Sequence, residues 1–143
     1  MKINLLILII CWSVLSFNMY LTIFYLDKMS GNIYLNSIST NFSELFGTIS
    51  AGYIMVNFGI KRTFILSFFL MSATALIYVL TPKSFNMFWF ASILLVNRLA
   101  ITIGFGVTYF STNALFRPSI VATVFALCNI VARTLTLFSS ILA

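Results

Sequence analysis

The chain has no histidine, only two acidic residues and few charges of any kind: 7% of its 143 residues are Asp, Glu, Lys or Arg. A soluble fold typically has about a quarter of its residues charged, so the composition excludes an ordinary soluble domain. The lack of histidine removes the commonest metal ligand and the commonest general base. With two carboxylates and no nucleophile motif the chain points away from an enzyme, and no catalytic residue, metal or cofactor is expected. Cysteine is scarce too. Cys11 and Cys128 fall inside apolar runs and read as small buried residues, not as a disulfide. The eight cations give a net charge of +6. They are scattered between apolar runs with no basic stripe, which is not a nucleic-acid signature. There is no strand-like alternation and no tandem repeat.

What is present is apolar: 62% of the residues are hydrophobic and the mean hydropathy is +1.11. A bilayer core of ~30 Å takes ~20 residues of helix, so the chain has room for about five spans and little else. They are read at about 3–26, 33–58, 63–80, 85–113 and 119–143, separated by short turns at Asp27–Gly31, Gly59–Arg62, Thr81–Ser84 and Phe116–Pro118. Runs of this length are too long for barrel strands, and backbone groups in lipid must be satisfied internally. The expected fold is therefore all-α and polytopic, a single membrane domain over residues 1–143 with the lipid bilayer as a partner. The short turns make consecutive spans expected antiparallel neighbours. The basic start and apolar centre near Met1 look like a signal peptide. The apolar run nevertheless continues to Leu26 without a clear cleavage site, so the first span reads as retained. With the N-terminus cytoplasmic, Lys2, Lys61, Arg62 and Arg117 lie inside and Lys28 and Lys83 outside, the orientation favoured by the excess of inner cations.

The stretch Asn41–Arg62 organises this reading. It has the only carboxylate inside a long apolar run, Glu44, with small residues at four-residue spacing, Ser43, Gly47 and Ala51, and a basic end at Lys61 and Arg62. Small residues at that spacing let a neighbouring helix approach closely and are packing signals first. Gly104 and Gly106 read the same way. An ionisable residue at mid-bilayer is costly unless it faces a partner or a cavity. There are three here, Glu44, Arg98 and Arg133. From helix rise they lie about 17, 20 and 21 Å from their span ends, all in the central part of the bilayer. One carboxylate neutralises one arginine, which leaves a surplus positive charge and suggests a water-filled cavity or an anionic ligand. Trp12, Trp89 and the tyrosines either line a pocket or anchor at the interface; they do not assign a site alone.

Several pieces in order resemble the C-terminal half of the organic cation and anion transporters of the major facilitator superfamily. They are Ser30-Gly31-Asn32-Ile33-Tyr34-Leu35-Asn36, Ser43-Glu44-Leu45-x-Gly47, Phe58-Gly59-Ile60-Lys61-Arg62, Asn97-Arg98-Leu99-Ala100-Ile101-Thr102 and Ala132-Arg133. The loop around Pro118 departs from the family, with Leu115 and Ala122 where a glutamate and an arginine are usual. The resemblance implies helices seven to eleven of a twelve-helix facilitator, a partial bundle without the first six helices and the twelfth. It implies movement of a small organic ion by rocking of two halves around a central site. Arg98 and Arg133 would contact the substrate or the gate, Glu44 would pair with one of them, and Gly59, Lys61 and Arg62 would form the cytoplasmic gate loop. Arginine at the position of Arg133 is found in anion-handling members, which agrees with the surplus charge. The expected function is transport of small organic ions, anions preferred, at the plasma membrane. A missing N-terminal half or a second subunit would supply the other bundle. The alternative is a truncated or non-transporting membrane protein that acts only with a partner.

Overall fold

The computed structural model describes residues 2–26, 33–81 and 87–142. They form five helices, α1 (Lys2–Leu26), α2 (Ile33–Phe58), α3 (Ile60–Leu80), α4 (Met87–Leu115) and α5 (Pro118–Leu142). Among the described residues there is no strand. Four helices hold segments long and apolar enough to cross a membrane: Ile3–Phe24, Ile60–Leu80, Phe88–Leu115 and Pro118–Phe138. The α2 helix has the length, at 26 residues, but is more polar. Its Asn41, Ser43, Glu44 and Thr48 lie toward its middle, where the other helices are mostly apolar. The turn read at Asp27–Gly31 and all but Thr81 of the turn read at Thr81–Ser84, with Lys28, Lys83 and Ser30–Asn32, lie outside the described residues.

Two junctions differ from the sequence reading. The α2–α3 turn is one residue, Gly59, and Lys61 and Arg62 stand in the first turn of α3. Lys and Arg are good helix formers, so the break falls at the residue that can take the required backbone and not at the charges. Gly59 has φ 77° and ψ 160°, a region essentially reserved for glycine. Its N–H still bonds to the Met55 carbonyl (3.1 Å), while its own carbonyl accepts from the Thr63 N–H (3.2 Å) and hydroxyl (2.8 Å). One helix stops and the next begins on the same residue. At the other junction Pro118 opens α5, where its missing N–H leaves nothing unsatisfied. Thr81 ends α3 in an extended conformation, as a residue before proline is pushed to be.

The α4 helix is the centre of the bundle and touches each of the other four. The expectation that consecutive spans are the main neighbours holds for one pair, α3 and α4, which run antiparallel: Ser67 faces Gly104 and Thr74 faces Asn97. The other extensive contacts join parallel helices, α2 with α4 and α1 with α5. The stripe on α2 explains the first. The Ser43 hydroxyl donates to the Leu95 carbonyl (2.8 Å), a Cβ on Gly47 would stand 3.0 Å from Thr102 Cβ, and Ala51 packs on Gly106. With small residues on one side the backbones approach closely, and successive residues of the stripe meet α4 further along it, at Leu95, Thr102 and Gly106. An aromatic cluster explains the second. Trp12 is buried, with Phe105, Tyr109 and Phe125 set edge-on to its ring. Leu8, Cys128 and Ala132 complete this α1–α5 core, and both cysteines are free thiols.

The outer surface is apolar. Tyr53, Val56, Phe69, Val79, Leu80 and Phe88 are each more than two-thirds exposed. A soluble monomer rarely exposes so many large apolar side chains, whereas a lipid-facing one must.

Candidate functional site

Glu44 on α2, Arg98 on α4 and Arg133 on α5 line one cavity of about 560 Å³. Arg98 Nη2 donates to Glu44 Oε2 at 3.4 Å, the one salt bridge among the described residues. The Arg98 guanidinium also donates to the Met19 carbonyl of α1 at 3.4 Å. Arg98 is 6% exposed, whereas the Glu44 side chain keeps 43% of its surface open. The cation is held deep in the bundle and its counter-ion stands at the cavity mouth. Arg98 thus connects three helices, and Thr102 one turn on donates to the Arg98 carbonyl (3.0 Å).

Arg133 is not paired with Glu44. It donates to the Tyr20 hydroxyl of α1, and its guanidinium carbon lies 5.4 Å from the centre of the Tyr20 ring. A guanidinium beside an aromatic face is attracted by the ring quadrupole, which supplies no counter-ion. Arg133 is exposed and carries the surplus positive charge of the cavity. A second cavity, of about 740 Å³, continues from it along α5 past Asn129 and Thr136. Tyr20 follows Met19, so the two contacts place Glu44, Arg98, Tyr20 and Arg133 at one level of the bundle.

Gly59, Lys61 and Arg62 do not line this cavity. Lys61 and Arg62 are exposed, and as cations in a first helical turn they oppose the helix dipole. Local helix energetics do not favour them there, which fits an anchoring role at the membrane surface.

Apart from Trp12, the tyrosines, Ala51 and Gly106, the remaining lining residues do not stand out in the sequence, although helical spacing from the charges leads to them. Thr48 and Met55 continue the Glu44 face of α2, Thr102 and Phe105 the Arg98 face of α4, and Asn129 precedes Arg133 by one turn. The α1 contribution, Trp12, Ser16 and Tyr20, follows the same period but has no charge to start from. Behind Arg98 a separate polar contact holds α1, α3 and α4 together. The buried Asn97 amide accepts from Thr74 (3.1 Å) and donates to Thr22 (3.4 Å). Among the described residues, no three His, Cys, Asp or Glu side chains come together as a metal site.

Five helices, an apolar outer face and a charged inner cavity define the chain as an all-α polytopic membrane protein. No protein-family model matches it, and no curated protein or solved structure matches it.

Proposed function

We propose that this chain is one bundle of a transporter for small organic ions that prefers anions, similar to the C-terminal half of the organic ion transporters of the major facilitator superfamily and working at the plasma membrane. One observation carries the reading: three intramembrane charges from three helices line a single cavity. In a membrane-spanning chain such residues face a substrate or water pathway by default. The charge there is two arginines against one carboxylate, a surplus of about one positive charge. In a low-dielectric site that surplus favours anions and disfavours cations far more than it would in water. Arg133, whose guanidinium is on the open side, is the primary contact for the anion. Arg98, fixed by Glu44 and Met19, is the second.

The open side supports a second element of the reading. Glu44 is half-exposed and Arg133 exposed, a state that lipid alone would penalise strongly. A second bundle facing this side would enclose the cavity, and rocking of two bundles about it would give alternating access. The same observation favours the second reading, a membrane protein that does not transport and is stable only beside a partner.

Uptake separates the two. The chain is joined to a compatible six-span half and its uptake of a labelled dicarboxylate or sulfate conjugate is measured. Saturable uptake that Arg133→Asp lowers supports transport. No saturable uptake by a chimera that reaches the membrane intact leaves the second reading.

A further inference from the structure

We propose that the bundle covering the open side of the cavity is a second copy of this chain, held by reciprocal ion pairs between Glu44 of one copy and Arg133 of the other. The inference rests on the reading that a second bundle faces this side, and it names that bundle.

The face is self-complementary in charge. Glu44 gives one oxygen to Arg98, and its Oε1 has no hydrogen-bond partner among the described residues. Arg133 makes one hydrogen bond, through Nη1 to Tyr20, so its other guanidinium donors have no partner among the described residues. An unfilled acceptor and unfilled donors therefore line the same cavity without meeting each other. In a closed twofold dimer residue i meets residue j and j meets i, so one such donor–acceptor couple is satisfied twice.

The level of the two groups sets the axis. The chain of contacts Glu44–Arg98–Met19 and Tyr20–Arg133 holds both charges at one height. Helix rise agrees. Glu44 lies 14 residues from the Phe58 end of α2 and Arg133 lies 15 residues from the Pro118 end of α5. At 1.5 Å per residue these are about 21 and 22 Å. Both ends are on the same side of the bundle, because α2 is parallel to α4, which α5 follows directly. A twofold axis along the membrane normal leaves heights unchanged and therefore brings Arg133 level with the partner copy's Glu44. It also gives both copies the same orientation, as identical basic loops require. An axis in the membrane plane would place the loops of the two copies on opposite sides. In the parallel dimer each Glu44 lies between Arg98 of its own copy and Arg133 of the other. The joined cavity then has four arginines and two carboxylates, so a surplus of positive charge remains, and the guanidinium donors of Arg133 that Glu44 does not take are left for the anion.

The experiment uses the full chain with Cys11→Ala and Cys128→Ala. Two differently tagged versions, one with Glu44→Cys and one with Arg133→Cys, are co-expressed and treated in the membrane with a bifunctional thiol reagent spanning about 10 Å, because a Glu–Arg pair holds its backbones too far apart for a direct disulfide. The expected result is a cross-linked dimer bearing both tags, with none from a control pair carrying Phe69→Cys on the lipid-facing surface of α3. Because Glu44→Cys also frees Arg98, a second measurement leaves Glu44 intact. Single-molecule photobleaching in bilayers should show two steps for the unmodified chain. Arg133→Glu should weaken dimerisation about tenfold or more and Arg133→Lys much less. Single-step bleaching at all densities overturns the proposal, as does a dimer that Arg133→Glu leaves intact, or recovery of the chain from native membranes with a different polytopic protein and no second copy. A dimer with these properties that takes up no organic anion leaves this inference standing and removes the transport reading. Anion uptake by a monomeric chain does the opposite.

Discussion

Arg98 and Glu44 meet at 3.4 Å with opposite exposures, the guanidinium buried and the carboxylate at the cavity mouth. The pair therefore ties α4 to α2 and leaves the second carboxylate oxygen without a hydrogen-bond partner among the described residues. Neutralising its acidic member leaves a buried cation with acceptors but no counter-ion among the described residues. Breaking a fully buried pair costs about 3–5 kcal/mol, and the exposure of Glu44 brings the expectation for Glu44→Gln down to about 1–2 kcal/mol. Thermal unfolding in detergent should show that loss, and Arg98→Gln added to it should restore part of it. A double variant no more stable than the worse single one would show that the two charges are not coupled.

The stripe on α2 gives paired expectations of opposite sign. A side chain at Gly47 meets Thr102 Cβ at 3.0 Å, and a β-branched residue cannot swing away. Gly47→Val should cost about 1–3 kcal/mol and loosen the Glu44–Arg98 contact one turn away. Gly52 is on the same helix, and a Cβ added there would meet nothing within 4 Å. Gly52→Ala should be neutral or stabilise by about 0.4–1 kcal/mol. Equal effects of the two would contradict the packing of α2 on α4.

Gly59→Ala tests the one-residue junction. At φ 77° and ψ 160° an alanine is strained by about 1–3 kcal/mol, although there is open space for its methyl group. The melting temperature should fall without any change in how α2 and α4 pack. No loss of stability would mean that the junction relaxes to another backbone geometry.

Orientation is checked by labelling. In a chain lacking Cys11 and Cys128, single cysteines at Ser30 and Lys61 should react from opposite sides, Lys61→Cys from the cytoplasm. Reaction of both from outside would remove the five-span arrangement.

Most of the fold is legible in the sequence because lipid leaves the chain few choices. Long uncharged runs must be helices, and their ends are marked by Pro82, Pro118 and Gly59. The charges of the site are legible for the same reason, since Glu44, Arg98 and Arg133 stand out against apolar neighbours. Rotation and partner choice are not legible. Short turns favour neighbours in sequence, yet α1 packs on α5 because Trp12 is enclosed by residues of α4 and α5, and no local signal announces that. Tyr20 gives no signal either, because a tyrosine in an apolar helix looks alike whether it faces lipid or an arginine. Lys61 and Arg62 look like a loop because they are charged, whereas the helix break depends on the backbone of Gly59.

The central claim is that the surplus charge at Arg133 makes this cavity select anions. Equilibrium binding to the full chain in proteoliposomes tests it most directly, with a labelled sulfate conjugate and a labelled quaternary ammonium as probes of opposite sign. The account predicts binding of the sulfate conjugate and not of the ammonium, with anion affinity reduced about tenfold or more by Arg133→Asp and much less by Arg133→Lys. Ammonium binding as tight as that of the sulfate conjugate, or anion binding untouched by Arg133→Asp, would contradict it.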